Sequence, residues 1–276
     1  MTFLVLAALL LFPALPASAN SSTEIVGLVP RVLTATIEHN SRYEECSLGS
    51  VAADALRIQL KSDVAIVCGG DLIGNLLPGE ATYDEIKNVF LDDRFIATAN
   101  VTIREFCQIL EAGLSHVTID EADRIDEKLS AYDGFPQISG FVMYYDASAL
   151  PGERIYDIQI GGKKVDISSE SETVTLAATA HMLSGGYGLP EVQNALVSDV
   201  TLFSASYQYI INEGISEYSP SQQRIHMRGA DDGGIAAAYL PIGMLLLLCI
   251  VFLVAYISNK TKRDKNAKSR EYDPWY

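Results

Sequence analysis

Residues 62–84 read Ser-Asp-Val-Ala-Ile-Val-Cys-Gly-Gly-Asp-Leu-Ile-Gly-Asn-Leu-Leu-Pro-Gly-Glu-Ala-Thr-Tyr-Asp, and no other stretch constrains the fold as tightly. Val64 to Val67 is short, apolar and β-branched, which makes it a buried strand. Gly69 and Gly70 end that strand in a turn, where a backbone without Cβ atoms lets a ligand or a neighbouring strand come close. A second turn follows at Leu77-Pro78-Gly79-Glu80, and a helix starts at Thr82-Tyr83-Asp84-Glu85. A strand that runs into paired glycines serves either a ligand site or only a tight turn, and composition does not choose between them.

The chain has 276 residues, 49% of them hydrophobic, enough for one good-sized domain or two small ones. Two apolar segments do not belong to that domain. Residues 1–19 combine an apolar run from Phe3 to Phe12, Pro13 and Pro16 as breakers, and Ala17-Ser18-Ala19 as a cleavage site. They read as a signal peptide without a basic leader; the alternative is a buried N-terminal helix. Residues 235–257 carry no charge over a length that crosses a bilayer core. Asp231 and Asp232 precede them and six basic residues follow between Lys260 and Arg270, so the C-terminus is expected in the cytosol. The expected organisation is a signal peptide (1–19), one domain (24–228), a stalk (229–234), a transmembrane helix (235–257) and a basic cytoplasmic tail (258–276). This organisation is that expected of a type I, single-pass protein whose domain is extracellular or lumenal.

The formal net charge is −15; the tail, with six basic and three acidic residues, carries +3, leaving −18 on the rest. That excess opposes nucleic-acid binding and docking on anionic lipid. Cys46, Cys68 and Cys107 lie in the expected domain and Cys249 in the span. Three is odd, so at most one bridge forms there, and with no C-x-x-C neither a disulfide scaffold nor a zinc knuckle is expected. A cysteine nucleophile at Cys68 is a weaker idea, because a lone cysteine after a strand is more often buried than reactive.

Along the chain, Glu24 to Gly27 and Val32 to Ile37 read as edge strands, and Leu48 to Leu60 as an amphipathic helix. Phe95 to Val101 is a strand, and Thr102-Ile103-Arg104-Glu105 is a capping box that opens a helix with Phe106, Ile109, Leu110 and Leu114 on one face. Residues 116–133 form a polar surface loop with a short helix. Phe141 to Tyr145 is a strand, and Gly161-Gly162 joins Arg154–Ile160 to Lys163–Ile167 as a hairpin. Thr173 to Thr179 is a strand, Ala205 to Asn212 a helix and Arg224 to Met227 a closing strand. The class is α/β, with mixed sheets and flanking helices.

These segments resemble, in order and spacing, the C-terminal, substrate-binding domain of the 5'-nucleotidase family. Its patterns are A-D-V-A-I, N-G-G-G-I-R and L-P-x-G-x-I-T-Y-x-D-V, preceded by E-x-N-L-G-N-L-x-A-D-A-x-R; here Glu45 to Gly49 and Ala53 to Arg57 fit the last. Thr102–Ser115, Gln137–Gly140, Arg154–Asp166 and Ser184–Gly188 resemble later elements, and the likeness extends over about Glu24 to Arg228. The resemblance implies nucleotide hydrolysis in relatives through a separate N-terminal metallophosphatase domain, which this chain is expected to lack. His39, His116, His181 and His226 are scattered, with no H-x-H, so no metal set, no cofactor and no catalytic residue is assigned.

On the substrate side, the family's phosphate-binding arginine aligns with Ile73, its asparagine or serine with Cys68 and its loop aspartate with Tyr187. Asp71 adds negative charge where an anion would sit. Arg57 and Arg94 are the basic residues able to take over the lost arginine's role. Of the two rings that hold a base in relatives, one position falls near Asp92, with Phe90 and Phe95 close by, and the other at His181. The candidate substrate-binding residues are therefore Gly69, Gly70, Asp71, His181, Gly185, Gly186 and Tyr187. Three readings stay open. One is a non-catalytic nucleoside- or nucleotide-binding or interaction module. Another is the substrate-binding half of a phosphohydrolase completed by a separate metallophosphatase chain. The last is a truncated gene product.

Overall fold

The computed structural model describes residues 24–37, 40–91, 94–212, 218 and 221–228. The expected signal peptide, stalk, transmembrane helix and tail lie outside the described residues. Among the described residues no helix is long and apolar enough to cross a membrane.

Strand β2 (Val64–Cys68) sits inside a mixed five-stranded sheet and is buried along its whole length. It pairs antiparallel with β5 (Pro136–Ser139) and parallel with β9 (Thr173–Thr179). β9 pairs antiparallel with β4 (Phe95–Thr102), which pairs antiparallel with the edge strand β10 (Leu196–Thr201). Successive side chains of a strand point to opposite faces. Accordingly Val64, Ile66 and Cys68 enter one hydrophobic cluster, and Ala65 and Val67 enter another. A strand covered on both faces needs no polar alternation, which is why this run is continuously apolar.

Helix α1 (Ser47–Leu60) fills the second cluster with Leu48, Val51, Ala52 and Leu56, joined by Leu202, Ala205 and Ile210 of α6 (Leu202–Asn212). The first cluster is closed by α3 (Ile103–Leu114), whose Phe106, Ile109, Leu110 and Leu114 all face inward. The reciprocal Thr102–Glu105 capping box starts α3, and the same device, Thr82 with Glu85, starts the short helix α2 (Tyr83–Lys87). A second, four-stranded sheet adds Phe141, Met143 and Tyr145 of β6 (Phe141–Tyr145) and Ile155 and Ile158 of β7 (Ile155–Ile160) to the first cluster. Its edges are β8 (Lys163–Lys164) and β11 (Ile225–Met227), the latter parallel to β6. β1 (Ile25–Val29) and β3 (Gly79–Thr82) form a separate antiparallel pair. Residues 116–133 are a loop carrying the one-turn helix α4 (Glu127–Ser130).

Three local expectations are corrected. Val32 to Ile37 is not a strand: only Leu33 bridges, to Leu76, while the Asn75 side chain accepts from the backbone N–H groups of Ala35 and Thr36 at 2.8 and 2.9 Å. A side-chain acceptor thus satisfies the donors that a strand partner would have taken. The strand after Gly162 is only two residues long; beyond it a single further bond, from the Val165 N–H to the Ile158 carbonyl at 3.0 Å, ties the chain to β7. The last described helix starts at Leu202, three residues before Ala205.

Candidate functional site

At the C-terminal end of β2 the chain enters a tight 3₁₀ turn, Gly69–Asp71. The Gly69 N–H donates to the Phe135 carbonyl (2.9 Å) and the Gly70 N–H to the Asp133 carbonyl (2.8 Å). The Ser41 hydroxyl donates to the Gly69 carbonyl at 2.9 Å. A Cβ at Gly69 would lie 2.0 Å from the Ser41 carbonyl oxygen, and one at Gly70 would lie 2.6 Å from Asp133 Cβ. Both glycines are therefore explained by close approach of the protein's own segments.

Asp71 ends the turn with a fully buried side chain. Its Oδ1 accepts from Arg94 Nε at 2.7 Å and from the Tyr187 hydroxyl at 2.8 Å, and Oδ2 lies 3.4 Å from the Thr179 hydroxyl. Arg94 also donates from its NH2 to the Tyr187 hydroxyl at 3.3 Å. The Asp71 charge is compensated inside the fold: a buried carboxylate is tolerated when a guanidinium and hydroxyl donors reach it. Burial lowers the Arg94 pKa, but its bonds to Tyr187 and Asp71 more than reverse this and leave it above the usual value. Burial, with the nearby Asp71 charge, raises the Tyr187 hydroxyl. Burial, then the same charge, raises the Cys68 thiol well above the ordinary range, so Cys68 is an inert core thiol. Cys46, Cys68 and Cys107 are all free.

The opposing loop follows α5 (Ala180–Leu183), which is capped by Thr179. Gly185 and Gly188 take positive φ (85° and 78°), and between them Tyr187 does so as well (58°), an uncommon conformation for a residue with a Cβ. Two contacts hold it there: the bond to Asp71, and the Tyr132 hydroxyl, which donates to the Tyr187 carbonyl at 2.5 Å. The His181 ring stands edge-on to Tyr187, centroids 4.8 Å apart, and a Cβ at Gly186 would strike that ring. The structure therefore gathers Asp71, His181, Gly185, Gly186 and Tyr187 into one cluster and adds Arg94, Tyr132 and Thr179. Phe90 is not available to a ligand: it is buried and packs 6.4 Å from the ring of Phe203. Phe95 is 45% exposed, and Ile73 is 47% exposed. Asp92 lies outside the described residues.

The other motif residues hold the fold together. Asp54 takes both terminal nitrogens of Arg224, at 2.9 and 2.8 Å, and accepts from Ser139 and Tyr218. Arg57 Nε donates to the Ser139 hydroxyl at 2.8 Å, so Arg57 belongs to this network. Glu45 accepts from the backbone N–H groups of Gln222 and Arg224, both at 2.9 Å, and fixes the entry to β11. The buried Gln137 side chain accepts from the Cys46 N–H (3.0 Å) and donates to the Ser41 and Glu44 carbonyls (3.0 and 2.7 Å).

His116 stacks on Tyr132, His226 stacks on Tyr144 and His181 faces Tyr187, while His39 lies outside the described residues. Among the described residues no three His, Cys, Asp or Glu side chains are grouped to hold an ion.

A three-layer α/β domain with a glycine turn after its central strand, facing a Gly-Gly-Tyr-Gly loop, defines the class. The family model described as "5'-nucleotidase, C-terminal domain" matches residues 24–194, and the chain belongs to that family. It is 27% identical over 172 residues to the trifunctional nucleotide phosphoesterase protein YfkN of Bacillus subtilis, covering 60% of this chain and 11% of that protein. The fold is shared with a 5'-nucleotidase precursor from Thermus thermophilus (TM-score 0.64, 18% identity, 74% of this chain and 39% of that one). It is also shared with the NAD nucleotidase of Haemophilus influenzae (TM-score 0.56, 13% identity, 75% and 38%). The chain thus spans about a tenth of the curated relative's length and about two-fifths of each solved structure.

Proposed function

We propose that this chain is a membrane-anchored 5'-nucleotidase C-terminal-type domain that does not cleave phosphomonoesters by itself. In this reading it takes an uncharged nucleoside, in preference to a nucleotide, between the Asp71 turn and the Gly185-Gly186-Tyr187 loop. Residues 24–228 face the outside or a lumen, residues 235–257 span the bilayer and the basic tail is cytosolic. The family and the names of its relatives support a nucleotide-derived ligand.

The observation that carries the reading is the Asp71–Arg94 ion pair. A guanidinium is the group best shaped to grip a phosphate, through parallel charge-assisted bonds. Here its Nε is already bonded to an internal carboxylate, and that carboxylate also repels a second anion. Ile73 offers nothing in its place, since an aliphatic side chain makes no such bond. His181, half-buried against Tyr187, and the exposed ring of Phe95 remain to meet a base.

The catalytic half of the reading is tested with purified full-length chain, AMP and added zinc, manganese or cobalt. Phosphate release should match the buffer blank. Turnover above the blank that is lost in His181→Ala contradicts the reading. The topology is tested by mapping glycans in a host that glycosylates Asn-x-Ser/Thr. Asn100 is exposed, so glycan should appear there and at Asn20, and none at Asn259. Glycan at Asn259 would reverse the orientation.

A further inference from the structure

The described chain leaves the domain at one end of the four-stranded sheet. There β11 runs parallel to β6, with Met227 beside Tyr145, and the Arg228 N–H donates to the Tyr145 carbonyl at 2.8 Å. The turn from Asp146 to Arg154 joins β6 to β7 at that same end. Exit and turn are tied together, because Arg228 NH1 donates to Asp146 Oδ2 at 2.9 Å.

The turn is held by its own backbone. The Asp146 N–H donates to the Arg154 carbonyl (2.9 Å), the Ala149 N–H to the Asp146 carbonyl (3.2 Å) and the Glu153 N–H to the Leu150 carbonyl (3.0 Å). At its tip Leu150 is 71% exposed, followed by the exposed Pro151 and Gly152. Tyr156, just beyond the turn, is 40% exposed, and the Arg228 guanidinium lies 4.3 Å from its ring centroid. A single exposed leucine is ordinary on a protein surface. Here, however, it shares one end of a sheet with an exposed tyrosine, an arginine and the chain's exit, the combination that suits a membrane interface.

The length of the chain beyond Arg228 says what lies opposite this end. Six residues, 229–234, separate it from the expected span at 235–257. Even fully extended, that segment reaches at most about 25 Å. The headgroup layer outside the hydrocarbon core takes up about 5–8 Å of that distance. The charges at this end also cancel, Asp146 and Glu153 against Arg154 and Arg228, so it carries no net share of the domain's acidity. A zwitterionic lipid surface is therefore the matching one.

We propose that the 146–154 turn and Tyr156 form a second contact with the bilayer. Leu150 and Pro151 enter the interface, while Tyr156 and Arg228 lie at headgroup level, where an aromatic ring or a long basic side chain keeps its polar end in water. The proposal rests on the membrane-anchored reading above and adds that the domain sits on the bilayer by this end.

The test places full-length chain in phosphatidylcholine vesicles, with and without bromine on the acyl chains. Trp275, the chain's one tryptophan, is first replaced by Phe. In that background Leu150→Trp puts a probe on the tip, and Leu196→Trp puts one on β10, where the native residue is 74% exposed in the other sheet. Leu150→Trp should emit at shorter wavelength and lose emission to brominated lipid, whereas Leu196→Trp should do neither. Extraction of the vesicles with alkaline carbonate separates the two levels of the argument. Chain that stays with the vesicles while Leu150→Trp is unquenched, or is quenched no more than Leu196→Trp, overturns the second contact and leaves the anchor standing. Chain stripped by carbonate overturns both.

Discussion

Replacing Asp71 by Asn keeps an acceptor in place and removes only the charge, so it isolates what the Asp71–Arg94 pair contributes. Asp71 is fully buried and the Arg94 side chain is 19% exposed. Two donors reach Oδ1, from Arg94 at 2.7 Å and from Tyr187 at 2.8 Å. Hydrogen bonds to a charged group contribute about 1.5–3 kcal/mol and neutral ones about 1, so losing charge assistance on both should cost about 2 kcal/mol. Complete removal of one partner of a buried pair costs about 3–5 kcal/mol, which sets the upper bound for Asp71→Ala. For a domain of this size 2 kcal/mol lowers the melting midpoint by roughly 4–8 °C. The double variant Asp71→Asn with Arg94→Gln should recover much of the loss, because no uncompensated guanidinium remains. Binding should change in the opposite sense. With the opposing charge gone Arg94 keeps its full positive charge for a phosphate, and one charge-assisted contact near 2 kcal/mol corresponds to roughly thirtyfold tighter AMP binding with adenosine almost unchanged. The assays are differential scanning calorimetry and titration calorimetry. An Asp71→Asn variant as stable as the parent, with AMP affinity unchanged, refutes the reasoning.

Other perturbations test neighbouring parts of the account. Gly69→Ala should cost at least 1–3 kcal/mol by overpacking, since the new Cβ meets a backbone oxygen at 2.0 Å, and a stability unchanged in urea titration would contradict this. Asp54→Ala should cost about 3–5 kcal/mol, because it strands Arg224. Hydrogen exchange should show lost protection first at 225–227, the strand that Arg224 anchors beside β6. Stability should also fall as pH rises above about 8.5, the ordinary thiol pKa. The thiols of Cys46, Cys68 and Cys107 and the hydroxyls of Tyr187 and Tyr218 all titrate higher when folded, chiefly through burial. The unfolded chain therefore loses protons first, and folding stability decreases with pH. Urea midpoints at pH 7.5, 9 and 10 measure the slope, and a rise across that range would have the wrong sign.

What could be read in the sequence divides along physical lines. Elements whose burial is written as apolar periodicity were legible: the Val64 run, the Leu48–Leu60 helix and the Thr102–Glu105 box with the apolar face after it. Elements whose burial is polar were not. Pro136–Ser139 is a fully buried strand, yet Gln137 and Ser139 lie inside it because a loop and Arg57 satisfy them. Leu196–Thr201 pairs at the sheet edge with Leu196 and Val197 exposed, so it carries no inward pattern. The site shows the same division. The glycine turn and the loop from Gly185 stood out by composition. Arg94 was visible only as a spare cation, and neither Tyr132 nor Thr179 carried any signal. Arg94, Tyr187 and Thr179 reach the Asp71 carboxylate from 23, 116 and 108 residues away in the chain, and Tyr132 joins them through the Tyr187 carbonyl, 55 residues away. No local pattern encodes such pairings.

In the proposed function the Asp71 carboxylate stands where a ligand's phosphate would lie. Titration calorimetry of the full-length chain with adenosine and with AMP, at one pH and one salt concentration, tests it most directly. Base stacking contributes on the order of 1–3 kcal/mol and is available to both ligands, whereas the phosphate meets Asp71. Adenosine should therefore bind at least as tightly as AMP. AMP binding ten times tighter than adenosine, a difference of about 1.4 kcal/mol, would show that a cation still reads the phosphate and would contradict the account.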